Sequence, residues 1–140
     1  MGIENYLIAS TLSLIIAQRL ARRLCQECKQ AKTVTKADMD EIGKYRPDLV
    51  KVIKVGSKIY EAPGCKACNG VGTKGRIGFY ELLEVTKEIR NGIVAGTSTD
   101  DLLDLCRKEG LVLLIEDGLD KLREGLVSLE ELAKVTVIRE

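Results

Sequence analysis

The stretch CKACNGVGTKGRIGFYE, running from Cys65 to Glu81, decides how this chain is to be read. Two cysteines stand two residues apart, glycines follow at positions 70, 72 and 75, and an apolar run closes on a glutamate. Three chemistries fit those letters: a redox dithiol, a glycine loop that cradles phosphate, or half of a metal site.

The phosphate reading fails on context. Gly70, Gly72 and Gly75 match G-x-G-x-x-G, but a dinucleotide loop must follow a strand and open a helix. This one follows a cysteine pair and leads into RIGFYELLEV (Arg76 to Val85), which reads as a strand. No G-x-x-x-x-G-K-[ST] occurs anywhere, so the chain has no P-loop. Without a single histidine there is no Ser-His-Asp triad and no His-containing zinc site. No carboxylate pairs convincingly with a nucleophile, so no catalytic or cofactor-binding residue is assigned and the chain alone is expected to be inactive.

The metal reading gains from the other cysteines. Cys25-Gln26-Glu27-Cys28 is a second C-x-x-C, separated from Cys65 by 36 residues. Each pair can chelate a tetrahedral ion from a tight turn while the intervening segment brings the turns together. A thioredoxin-like site needs only one such pair, and disulfides need an oxidising compartment that nothing in the sequence suggests. Cys25, Cys28, Cys65 and Cys68 are therefore expected to hold one Zn²⁺, with no open position for a catalytic water. Glycines 70 and 72 tolerate positive φ and can turn backbone N–H groups toward the sulfurs. Arg23, Lys29, Lys66, Lys74 and Arg76 are placed in sequence to offset the charge of a tetrathiolate centre. Little apolar surface lies between the pairs, so metal binding is expected to supply on the order of 10 kcal/mol to that segment. Cys106, in LLDLCRKEG, reads as a small buried hydrophobe.

Charge bounds the partners. The 140 residues hold 22 basic and 21 acidic side chains, a net of +1, with 4% aromatics and no tryptophan. A phosphate-tracking nucleic-acid reader would be far more basic, and base-stacking platforms are missing. Yet the charges segregate: Arg19 to Arg76 has 14 basic against 6 acidic residues, a net of +8, whereas Ile77 to Glu140 has 8 against 14, a net of −6. The basic half is expected to meet an anionic partner, with neutralisation by the acidic half as the competing explanation.

The apolar run from Tyr6 to Ala17 is too short to cross a bilayer, and its charges are in the wrong order for a signal peptide. It is expected to be a buried helix, Tyr6 to Leu24, in a cytoplasmic protein. Thr35 with Asp38 predicts a helix to Tyr45, Pro47 another through Val52, and Lys58 to Ala62 a short strand. Thr86, Ser98 or Thr99, and Ser128 are expected to cap helices ending near Ala95, Gly110 and the C-terminus. A further helix runs from Glu116 to Glu124, closed by Gly125, and Ser128 with Glu131 reads as a capping box.

Two stretches resemble the C-terminal region of type II secretion and type IV pilus assembly ATPases. One is the segment before the first cysteine pair, with Gln18-Arg19-Leu20, Arg22 and Cys25; the other runs from Gly64 to Glu81. The likeness resumes in EGLVLLIEDGLDKLREGLVSLEEL. It implies an α+β, mostly helical fold, the end of a RecA-like ATPase domain with an inserted Cys₄ zinc subdomain and a C-terminal helical bundle. It divides the chain into a core helix (1–24), a zinc subdomain (25–75) and a strand with a helical tail (76–140). It also implies that ATP and Mg²⁺ bind to a part preceding Met1, and that the parent is a homohexamer at the cytoplasmic side of the inner membrane. Its partners there would be an inner-membrane platform, cytoplasmic adaptor proteins and anionic lipid. Pilus retraction ATPases lack the cysteines. Lys87 to Asn91 is similar to a helix they carry, and a surface salt bridge is the ordinary role for Arg90. A DnaJ-type zinc chaperone is the alternative, since Cys65 to Gly72 spells C-x-x-C-x-G-x-G, but the first cysteine pair has no such glycines. A zinc-ribbon nucleic-acid module is disfavoured by charge.

Overall fold

The computed structural model describes residues 2–136. The chain order is α1 (Asn5–Thr11), β1 (Leu14–Leu24), β2 (Gln30–Thr33), α2 (Lys36–Gly43), α3 (Pro47–Val52), β3 (Lys58–Glu61), a 3₁₀ turn (Lys66–Cys68), β4 (Thr73–Glu84), α4 (Lys87–Ala95), α5 (Thr99–Lys108), α6 (Leu114–Arg123) and α7 (Leu129–Val135). The architecture is α+β, with two small sheets: β1 pairs with β4, and β2 with β3.

The expected helix from Tyr6 to Leu24 is wrong. Only α1 is helical; the Thr11 hydroxyl turns back to the Leu7 carbonyl at 2.8 Å, and Leu12 is already extended. Eleven residues of strand follow. A run that is apolar on every side fits the periods of helix and strand alike, and β-branched Ile15 and Ile16 favour the extended form. Pairing with β4 then satisfies the backbone, so the partner strand settles what the local letters leave open. Nor is the run uniformly buried: Leu14, Ile16 and Leu20 are more than half exposed, while Ala21 and Leu24 are buried.

The chain forms two compact units. The first is Met1–Gln18 with Tyr80–Leu114. Its core is Val85, Ile89 and Cys106, with Leu12, Leu102 and Leu105 among the side chains around them. Cys106 is thus the buried small side chain its sequence suggested, and burial pushes its thiol up in pKa. Gly92 lets α4 approach α5, since a Cβ there would stand 3.2 Å from a Leu102 methyl. Arg90 donates to the Leu12 carbonyl at 3.4 Å and is in no salt bridge among the described residues.

The second unit is Arg19–Phe79 with Ile115–Glu140. Phe79, Leu49, Val127 and Leu132 are fully enclosed. Gly118 on α6 faces Phe79 and Leu132 so closely that a Cβ would lie 2.5 Å from a Leu132 methyl. Strands β2 and β3 run antiparallel from Gln30 opposite Glu61 to Thr33 opposite Lys58. Strand β2 escapes sequence reading because its QAKT carries no apolar alternation. Thr35 and Asp38 open α2 as expected and there form a capping box, the hydroxyl accepting from the Asp38 N–H and the carboxylate from the Thr35 N–H. The box expected at α7 is only half made. Ser128 accepts from the Glu131 N–H at 3.2 Å, but the Glu131 carboxylate accepts instead from the Arg22 backbone at 2.8 Å and its guanidinium at 3.2 and 3.1 Å. Arg46, also buried, gives its Nη1 to the Ala133 carbonyl at 2.7 Å and the Thr136 hydroxyl at 2.9 Å, near the end of α7.

Candidate metal centre

Strand β1 ends at Leu24 and delivers Cys25 directly into a turn that carries Cys28. The second pair is built by the 3₁₀ turn, with Cys65 at its N-cap and Cys68 as its last residue. Left-handed conformations then follow at Asn69 (φ 53°), Gly70 (φ 79°) and Gly72 (φ 77°), which fold the chain back over the sulfurs. Asn69 supplies one of these because asparagine tolerates the region better than other side chains. Glycine is demanded twice for space as well: a Cβ at Gly72 would collide with the Ala62 carbonyl, and one at Gly64 with the Gly70 carbonyl.

The four sulfurs converge within 4.8 Å of one another. Cys25 and Cys65 are 3.8 Å apart, Cys28 and Cys68 3.9 Å, and Cys65 and Cys68 3.8 Å. Zinc–sulfur bonds of about 2.3 Å in a tetrahedron place their sulfurs about 3.8 Å apart. A disulfide requires about 2.05 Å, and all four cysteines are free thiols. The donor set, its spacing and its enclosure therefore suit a tetrahedral, thiophilic ion. Cys25 and Cys68 are buried, Cys28 and Cys65 half-buried.

Backbone donors are aimed at the sulfurs, as the glycine pattern suggested. The Cys65 N–H points at Cys68 Sγ at 3.1 Å and the Gly72 N–H at 3.3 Å. These bonds favour the thiolate, and the N–H of Cys65 leads in pushing the Cys68 thiol down to about 6. Burial acts the other way on Cys28, pushing it up to about 12. A divalent ion at the centre of the four sulfurs would favour the thiolate form. Lys29, expected near the thiolates, is placed elsewhere: its ammonium is on the carbonyls of Glu124 and Gly125 at 3.5 and 3.4 Å.

The glycine-rich run after Cys68 opens β4 and no helix, so it is no dinucleotide loop. The glutamate that ends the opening stretch has a part that sequence reading did not foresee. Glu81 accepts from the Leu114 N–H at 3.1 Å, satisfying the first residue of α6.

A family model described as Type II/IV secretion system protein matches residues 1–134. The type IV pilus assembly ATPase PilB of Thermus thermophilus is 36% identical over 137 residues, covering 98% of this chain and 15% of the relative. The same-named ATPase of Myxococcus xanthus is 37% identical over 133 residues, 94% of this chain and 22% of that protein. The type II secretion system protein E of Dickeya dadantii is 33% identical over 138 residues, 97% of this chain and 25% of that protein. The chain thus spans a quarter or less of the length of these three relatives. With the match running through both cysteine pairs and α4 to α6, the chain belongs to the type II/IV secretion system protein family.

Proposed function

We propose that Cys25, Cys28, Cys65 and Cys68 bind one structural Zn²⁺ in the C-terminal region of a cytoplasmic ATPase that drives type IV pilus assembly or type II secretion. The observation that carries the proposal is the tetrahedral spacing of four sulfurs in a chain of this family. Relatives named for both systems match at similar identity, so the two remain joint candidates. On this reading ATP and Mg²⁺ bind outside these 140 residues, which contain no phosphate loop.

The role of the metal is mechanical. It fastens the end of β1 to the start of β4, the two strands between which residues 25–72 are inserted. An insertion so closed moves with its strands, and force generated elsewhere in a homohexameric motor reaches the platform and adaptor partners through it. The basic half offers a contact for an anionic partner. Lys51, Lys54 and Lys58 are exposed in no ion pair among the described residues, and Val50, Val52 and Val55 are exposed beside them in sequence. Cationic and apolar groups side by side suit an anionic lipid surface. No helix among the described residues is long and apolar enough to cross a membrane.

Native mass spectrometry after purification without chelators tests the metal assignment. One zinc per chain is expected, lost on Cys65→Ser; a metal-free wild-type chain would contradict it.

A further inference from the structure

The first cysteine turn does more than present two sulfurs. Residues 24–29 lie against the turn between α6 and α7, and four contacts join them. The Leu24 N–H donates to the Leu126 carbonyl at 2.8 Å. Gln26 Nε2 donates to the Leu24 carbonyl at 2.9 Å and to the Gly125 carbonyl at 3.3 Å. Lys29 Nζ reaches the carbonyls of Glu124 and Gly125. Tyr60 covers Gly125 so closely that a Cβ there would lie 2.6 Å from its ring, and Lys29 stands 5.2 Å from the centre of the same ring.

The acceptors are carbonyls of the turn just beyond α6, which ends at Arg123. Gly125 adopts φ 69°, and the N–H groups of Gly125 and Leu126 bond back to Leu122 and Lys121. Those bonds close the helix but leave the carbonyls of Glu124, Gly125 and Leu126 pointing outward. A cation and an amide delivered there complement both the lone pairs and the negative end of the helix dipole.

An unbroken set of bonds leads from the sulfurs to this turn. The Gly72 N–H donates to Cys68 Sγ, the Cys25 N–H to the Gly72 carbonyl at 2.9 Å, and the Leu24 N–H to the Leu126 carbonyl. Cys25 and Cys28 bracket Gln26, and Lys29 follows Cys28 at once. Fixing the two sulfurs therefore fixes the origins of both capping side chains.

We infer that Gln26 and Lys29 are positioning residues that couple metal occupancy to the α6–α7 turn, so that the ion orders the C-terminal helices as well as its own loop. The inference rests on the metal reading above. With the ion bound, residues 24–29 have one conformation and hold the turn; with the ion removed, they are released and the end of α6 frays.

Hydrogen exchange on the full chain, with and without Zn²⁺, tests this, with zinc content read in parallel by native mass spectrometry. Chelation is expected to speed exchange at the Gly125 and Leu126 amides about tenfold or more while the α5 amides of the other unit change little. The chain with Gln26→Ala and Lys29→Met is expected to keep one zinc yet exchange quickly at Gly125 and Leu126 in the metal-bound form. Because that arm is read with metal bound, wholesale unfolding of the metal-free chain does not imitate it. A wild-type chain that takes up zinc with no change at the turn overturns the coupling alone. A double variant that keeps full protection overturns the assignment to these two side chains. A chain that takes up no zinc overturns the metal reading, and the coupling with it.

Discussion

Five cysteines divide by what surrounds their sulfurs. Four have other sulfurs about one tetrahedral edge away and backbone N–H groups aimed at one of them, whereas Cys106 is enclosed by Val85, Ile89 and leucines. That distinction has a measurable consequence. Cys106→Ser puts a hydroxyl into an apolar cluster and should lower stability by about 1–3 kcal/mol, because the new polar group loses water without gaining a comparable partner. Zinc content should stay at that of the wild type. Denaturant unfolding with metal analysis checks both, and a Cys106→Ser chain that loses its metal would contradict the division. The same distinction was legible in sequence, since paired C-x-x-C spacing and an isolated cysteine one turn from leucine are different patterns. What no pattern disclosed is the occupation of Glu131. Its spacing from Ser128 spells a capping box, but Arg22, more than a hundred residues away in sequence, takes the carboxylate. Local letters cannot register a competitor that arrives through the fold.

Helix starts were the most legible elements, because a cap is a bond between residues three apart. Thr35, Thr86, Ser98 and Ser128 all accept from the N–H three residues on. At α2 the cap carries a pH signature. Bonds from the Thr35 hydroxyl and N–H, with Lys32 beside them, lower Asp38 from 3.8 to about 2. A carboxylate depressed in the folded state adds stability that is fully present above about pH 4 and is lost as the pH falls through about 2. Asp38→Asn should therefore lower stability at neutral pH and flatten its loss over that acid window, as followed by thermal melts from pH 6 to 2. An unchanged acid profile would show that other carboxylates govern it. Packing decides the sign at α6. Gly118→Ala ought to gain about 1 kcal/mol from helix propensity alone. The enclosed Phe79 and Leu132 leave no room for the methyl, and overpacking costs about 1–3 kcal/mol, so the melting temperature should fall. A rise would mean that Leu132 repacks freely. The element that misled was β1. Its apolar letters have no period to separate helix from strand, and the partner that decides, β4, begins nearly fifty residues after it ends.

At the scale of the molecule, composition conceals more than it tells. A net charge of +1 arises from +8 and −6 in successive parts of the chain with Glu4 before them, and pairing removes little of the basic excess. Of the basic side chains between Arg19 and Arg76, Arg22, Lys32 and Arg46 are in ion pairs among the described residues. Binding to anionic vesicles that weakens with salt should follow, and should be lost when Lys51, Lys54 and Lys58 become Glu. Equal, weak binding to anionic and neutral vesicles would exclude lipid and leave an acidic protein as the anionic partner. The family itself was legible because its cysteine spacing and the flanking QRL and GFYE letters occur together; the two-unit division was not, since each unit joins segments distant in sequence. Everything proposed for the assembly depends on a closed tetrathiolate centre, and cobalt substitution tests it most directly. Co²⁺ taken up by Cys25, Cys28, Cys65 and Cys68 should give the intense sulfur-to-metal charge-transfer and visible bands of a tetrahedral four-sulfur site, displaced by one equivalent of Zn²⁺ and altered by serine at any of the four. Weak, octahedral-type absorption, or bands unchanged in the serine variants, would contradict the account.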